Sequence, residues 1–106
     1  MNSMIYKPTD VEKGSDFWIL VEPEIDLSLF NDITAEYIQS NGSEVLAELT
    51  LDDGIVENSE GTGWILKLSN EITTEATTDL YHLRIIFTQT SGEIIIKTVK
   101  NVINII

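Results

Sequence analysis

Along most of this chain apolar and polar residues alternate with a period of two, not with the 3.6-residue spacing of a helix. Phe17, Ile19 and Val21 alternate with Trp18, Leu20 and Glu22, and Ala35, Tyr37 and Gln39 alternate with Glu36 and Ile38. Val45, Ala47, Leu49 and Leu51 alternate with Leu46, Glu48 and Thr50, while Trp64, Leu66 and Leu68 alternate with Ile65, Lys67 and Ser69. The longest run sets Tyr81, Leu83, Ile85 and Phe87 against His82, Arg84 and Ile86. Each run has one strongly apolar face, so each predicts a strand laid on a core.

The breaks between runs carry turn chemistry. Asn41-Gly42 and Ser91-Gly92 each separate two alternating runs, and such pairs predict two-residue type I′ hairpins with positive φ. Asp52-Asp53-Gly54 and Glu60-Gly61-Thr62-Gly63 bracket what reads as one polar loop, and Pro23 stops the first strong run because proline has no N–H for a ladder. Leu27 to Ile33 fits one or two helical turns. Asn70 to Asp79 opens on a capping residue but is rich in threonine, which predicts a single turn between strands. The stretch from Glu93 to Ile106 is too long for one simple strand, and Asn101 tolerates the left-handed region, so a kink or bulge is expected there. Val102 to Ile106 then reads as a last strand on an edge.

Seven or eight short strands in 106 residues predict an all-β chain, an immunoglobulin-like antiparallel β-sandwich forming one domain over residues 1–106. Hydrophobic residues make up 42% of the chain, enough to build a core at this length. There is no cysteine, so no disulfide holds the fold together. No charged and then apolar leader precedes the patterned sequence, and no apolar run approaches the roughly 20 residues of a membrane span. Synthesis in the cytoplasm without membrane insertion is the expectation.

Charge removes two classes of partner. The formal net charge is −12, and the six basic residues, Lys7, Lys13, Lys67, Arg84, Lys97 and Lys100, are scattered. Phosphate-backbone binding needs clustered cations that release counterions, so neither nucleic acid nor an anionic membrane is an expected partner. Solubility at high local concentration is one reading of the acidity, and a basic protein partner is another.

Catalytic and metal-binding patterns are sparse. His82 is the lone histidine and falls on the outward register of its strand, with no nucleophile and orienting acid identified beside it. No cofactor or zinc site is expected without cysteine and with one histidine. Asp52, Asp53, Glu57 and Glu60 could offer oxygen ligands to calcium, but their spacing does not match an EF-hand loop, and a solvated acidic turn explains them. Asn41-Gly42-Ser43 is formally a glycosylation sequon, which the turn explains equally well.

The outward apolar residues say more. In the registers above Trp18, Leu20, Ile38, Leu46, Ile65 and Ile86 fall on faces that should see water. Either the segment from Leu27 to Ile33 covers them, or they meet another molecule; several on adjoining strands would exceed the apolar patch of an ordinary monomer. The terminal run, with Val102, Ile103, Ile105 and Ile106 broken only by Asn104, reads as an uncharged edge open to pairing. The candidate interface is therefore Trp18, Leu20, Ile38, Leu46, Val102, Ile103, Ile105 and Ile106.

The order of these features is similar to that of small β-sandwich proteins of tailed phages. It resembles the N-terminal domain of phage baseplate upper proteins in Lys13-Gly14-Ser15-Asp16-Phe17 and in Asp32-Ile33-Thr34-Ala35-Glu36-Tyr37. The likeness continues through Ile65-Leu66-Lys67-Leu68-Ser69-Asn70-Glu71-Ile72-Thr73, Tyr81-His82-Leu83-Arg84-Ile85, Ser91-Gly92-Glu93 and Asn101-Val102-Ile103-Asn104-Ile105. Two positions that are often glycine in those proteins are Leu80 and Asn101 in this chain. The resemblance implies a virion structural protein in head, neck, tail or baseplate, with no catalytic residues, made in the bacterial host and assembling as a homo-oligomer or with a larger virion protein. Two other functions fit the residues. One is a free-standing carbohydrate-binding or adhesin-like module, with Trp18, Trp64, Tyr37 or Tyr81 stacking on a sugar. The other is an acidic inhibitor of a basic protein surface.

Overall fold

The computed structural model describes residues 9–22, 27–42 and 44–106. Eight strands run in chain order: β1 (Thr9–Val11), β2 (Phe17–Val21), β3 (Phe30–Gln39), β4 (Val45–Leu51), β5 (Gly54–Glu57), β6 (Trp64–Leu68), β7 (Leu80–Gln89) and β8 (Ile94–Ile105). A single 3₁₀ turn, Leu27–Leu29, precedes β3, and a short helix, α1 (Asn70–Glu75), joins β6 to β7. The expected all-β sandwich is therefore what the chain builds. Pro23, Lys7 and Ser43 lie outside the described residues.

The strands form one sheet in the order β1-β8-β7-β3-β4-β5-β6-β2, folded over so that it nearly closes into a barrel-like sandwich. Neighbours are antiparallel except at two places. β1 runs parallel to the end of β8, with Thr9 opposite Ile103 and Val11 opposite Ile105. β4 and β5 are parallel over only two pairs, Thr50 with Gly54 and Leu51 with Ile55. Full parallel strands need a long crossover, but this pair is a sideways step through a tight loop. Thr50 and Asp53 exchange backbone hydrogen bonds of 3.0 and 2.9 Å, and Asp52 and Gly54 take positive φ of 68° and 93° to make the step. The polar loop expected from Asp52 to Gly63 thus contains a strand, anchored by the fully buried Ile55.

The inner faces match the apolar face of most alternating runs. Ile33, Ala35 and Tyr37 of β3 meet Trp64, Leu66 and Leu68 of β6 and Tyr81, Leu83, Ile85 and Phe87 of β7 in one core cluster. Each such buried side chain contributes roughly 1.5–3 kcal/mol, which a cysteine-free chain needs in full. Contact between the two layers is direct. The Tyr37 hydroxyl donates to the Leu66 carbonyl at 3.4 Å, and Phe30, Trp64 and Phe87 form a ring cluster with centroids 5.3–5.8 Å apart.

The corner between β6 and β7 carries an immunoglobulin-type device. Tyr81, at the start of β7, donates its hydroxyl to the Thr77 carbonyl at 2.8 Å, four residues upstream. This is the geometry of a tyrosine corner. α1 is tied to the turn between β1 and β2. The Thr73 hydroxyl donates to the Ser15 carbonyl at 2.6 Å and accepts the Gly14 N–H at 3.2 Å. Asp16, remote in sequence, accepts the Asn70 N–H at 2.8 Å.

Both hairpin turns differ in type from the sequence expectation. Gly42 N–H donates to the Gln39 carbonyl at 3.3 Å, and neither Asn41 nor Gly42 has a positive φ, so Asn41 sits inside an ordinary turn, not a type I′ pair. At Ser91-Gly92 the loop has three residues. Gly92 N–H donates to Gln89, Gln89 N–H donates to Glu93, and only Gly92 (φ 93°) is left-handed. The kink in β8 falls where expected. Asn101 has φ 53°, and the β7–β8 register slips between Tyr81, opposite Ile103, and Leu83, opposite Val99.

Candidate interaction surface

The eight candidate interface residues separate into three groups. Trp18 and Leu20 do reach solvent, at 60% and 40% exposure. They share the outer face with the next strands in the sheet, because their neighbours Phe17, Ile19 and Val21 pack on the core. Leu20 stands opposite Ile65 of β6, Ile65 stands opposite Val56 of β5, and Trp18 stands opposite Lys67. Val56 is 48% exposed. The result is a stripe of Trp18, Leu20, Ile65 and Val56 across three strands. The 3₁₀ turn does not cover it, since Leu27 and Phe30 pack on the core instead.

Ile38 and Leu46 do not join this stripe. Ile38 is half-buried on the outer side of β3, opposite His82 of β7 and Val45 of β4. Leu46 packs against the core, contrary to its expected outward place. The cause is a bulge: the register shifts between Tyr37, opposite Ala47, and Ile38, opposite Val45, so two residues of β4 answer one of β3. Val45 takes the exposed place, and Leu46 turns to an open cavity of about 240 Å³ beside Ile72, Ala76 and Tyr81.

Val102, Ile103 and Ile105 are buried in the core, so the terminal run is no open edge. The slip at Asn101 lets both Val102 and Ile103 turn inward, and β1 pairs along the outer side of Ile103 to Ile105. Ile106 alone of this group is exposed, with its N–H donated to Val11 at 3.0 Å. The other half of the same strand has one neighbour among the described residues. From Ile94 to Lys100 that neighbour is β7, and Ile94 and Ile96 are 63% and 53% exposed. Ile96 stands opposite the half-buried Ile86 on the outer face. Three consecutive isoleucines were the available signal for this exposed stretch. Val56 was hidden by the polar residues around it.

The polar groups are engaged mainly in holding the scaffold. Asp79 accepts from Gln39 Nε2 at 2.6 Å, from the Leu80 N–H at 2.7 Å and from Asn41 Nδ2 at 3.3 Å. The Gln39 bond above all holds its carboxyl below the usual carboxylate range, and the Leu80 and Asn41 bonds act the same way. Arg84 and Glu36 form an ion pair of 3.1 Å between β7 and β3, partly exposed and so worth little by itself. His82 Nδ1 lies 3.3 Å from the Ser40 hydroxyl. A serine–histidine contact is two thirds of a triad, and no acid hydrogen-bonds the ring among the described residues. Asp32, Asp52 and Glu57 border an open depression of about 310 Å³ at the ring cluster. Among the described residues no group of three or more acidic or histidine side chains is placed to hold a metal ion.

A scan against protein-family models finds no match, and a search of curated proteins finds no similar sequence.

Proposed function

We propose that this protein is a non-enzymatic structural component of a tailed-phage particle, held against other protein chains through the outer face of β2, β6 and β5. The observation that carries this reading is the cross-strand stripe of Trp18, Leu20, Ile65 and Val56, in which all but the half-buried Ile65 are exposed. A large exposed aromatic beside aliphatic side chains is the composition of an interface core, and a charged rim surrounds it here with Lys67 and Glu22. The order of sequence features shared with phage sandwich proteins supplies the particle.

The sugar-binding alternative needs exposed rings as a stacking platform. Of its four rings Trp64, Tyr37 and Tyr81 are buried, which leaves Trp18 alone. The inhibitor alternative rests only on net charge.

The test is incorporation. Particles assembled with a tagged wild-type chain should carry it through gradient purification, and particles assembled with Trp18→Lys/Leu20→Lys should not. Equal incorporation of both, or absence of the wild type from particles, would overturn the proposal.

A further inference from the structure

Asn41-Gly42 is the one asparagine–glycine pair in the chain, and it sits exposed in the β3–β4 turn. The turn does not need glycine for its backbone angles, since neither residue has a positive φ. What glycine changes is reactivity. Without a Cβ to shield it, the Gly42 amide nitrogen can reach the side-chain carbonyl carbon, Cγ, of Asn41. Two bonds restrain the pair: the Gly42 N–H donates to the Gln39 carbonyl, and Asn41 Nδ2 donates to Asp79 Oδ1, each at 3.3 Å. Both are longer than the usual ~2.9–3.0 Å, and an exposed turn of this kind opens readily.

We propose that Asn41 is a site of spontaneous deamidation, whose product carboxylate releases the β3–β4 turn from Asp79. The Gly42 nitrogen gives its proton to solvent base and bonds to Asn41 Cγ. The Cγ–Nδ2 bond breaks, and Nδ2 leaves as ammonia with a proton taken from water. Water then opens the cyclic imide at either of its two carbonyls, giving aspartate or its β-linked isomer with no change in oxidation state. The reaction needs only water, and so goes beyond the assembly role proposed above. The new negative charge appears where Asn41 Nδ2 had donated to Asp79, so a hydrogen bond becomes a contact between two carboxylates. Gln39 Nε2, at 2.6 Å from the same carboxyl, is left to hold the turn.

The other described asparagines are better protected. Asn31 and Asn70 lie in the regular backbone of β3 and α1. Asn101 and Asn104 precede the buried, β-branched Val102 and Ile105. Asn58 has its side-chain amide in three hydrogen bonds to Thr62 and Gly63. Asp53-Gly54 can form the same imide, but the backbone bonds between Thr50 and Asp53 and the Leu49 side chain packed at Gly54 hold that loop closed.

Peptide mapping by mass spectrometry, on purified full chain kept warm in mildly alkaline buffer, tests the site. Asn41 should convert to a mixture of aspartate and its β-linked isomer while Asn31, Asn58, Asn70, Asn101 and Asn104 remain amides. Gly42→Ala should keep Asn41 intact over the same period; its Cβ would meet only the Gln39 side chain, 3.1 Å from Oε1, so the fold is retained. The converted fraction, separated on anion exchange by its added charge, should unfold at lower urea than the intact one. Asn41→Asp should reproduce that loss, and in an Asp79→Asn background the same substitution should bring none. Survival of Asn41 in the folded chain for as long as the urea-unfolded chain takes to convert would overturn the site, as would earlier conversion of another described asparagine. A converted fraction as stable as the intact one, or a loss that persists with Asp79→Asn, would overturn the coupling to Asp79.

Discussion

Leu20 of β2 lies directly opposite Ile65 of β6 on the outside of the sandwich, while the residues on either side of Leu20, Ile19 and Val21, pack on the core. One short strand therefore serves two purposes on its two faces. Substituting Trp18 or Leu20 by lysine removes exposed apolar area only, so folding stability should change by no more than about 0.5 kcal/mol. Thermal melting should show little shift, while the proposed incorporation into particles should be lost.

Tyr81 fastens the corner between β6 and β7. Tyr81→Phe keeps the ring in the core and removes the bond to Thr77, for an expected loss of about 1 kcal/mol by urea unfolding at neutral pH. Burial, and then the carboxylates of Asp79 and Glu44, push the Tyr81 hydroxyl above the usual phenol range. Its folded pKa is raised, so its contribution is fully present below the unfolded value near ~10 and is lost as pH rises beyond it. The gap between wild type and Tyr81→Phe should therefore narrow in alkaline solution. A gap that widens would contradict this assignment.

Gly54 and Gly92 share a φ of 93° but not their surroundings. A Cβ on Gly54 would stand 2.5 Å from Leu49 Cδ2, whereas a Cβ on Gly92 would meet nothing within 4 Å. Gly92→Ala should cost roughly 1–2 kcal/mol, the left-handed conformation alone. Gly54→Ala should cost a further ~1–3 kcal/mol, because Leu49 must leave its place in the core. Denaturant midpoints of the two variants give the comparison directly.

Asp79 joins the β3–β4 turn to the start of β7 through Gln39, Asn41 and Leu80. Its folded pKa is lowered, so its stabilisation is present above the unfolded value of ~4 and is lost as pH falls through the folded value below that. Asp79→Asn should be less stable than wild type at pH 7 and nearly equal to it at pH 2. Unfolding curves that stay equally far apart at both pH values would show that the charge does not matter.

Much of the fold was legible where the two faces of a strand differ sharply. Ala35 to Tyr37, Trp64 to Leu68 and Tyr81 to Phe87 all point as their alternation requires. The failures have a common physical origin: alternation carries no record of an inserted residue. One extra residue beside Ile38 moved Leu46 from the outer face to the core, and the slip at Asn101 buried Val102 and Ile103 together. Pairing partners are equally invisible in a single run, so Ile103 to Ile105 read as an edge although β1 lies against them, while Ile94 to Ile96 have β7 as their one strand neighbour among the described residues. Trp18 and Leu20 were legible as exposed because two large apolar side chains fall together on the outward register of one short strand. Val56 was missed because a four-residue strand among turn residues has too few positions to show a period.

The parallel pairing of β1 with the end of β8 also governs when the molecule can fold. Asp10 and Asn104, joined by a side-chain hydrogen bond of 3.2 Å, are 94 positions apart. Ile103 and Ile105 fill the core at that same place. During synthesis the ribosome must release residue 105 before the core can close, and until then the apolar faces of β3, β6 and β7 have no complete cover. Contacts of such long sequence separation also slow the search for the native state. Each nascent chain therefore passes through a sticky, unfinished stage, and the burden of acidic residues keeps neighbouring copies apart while it lasts.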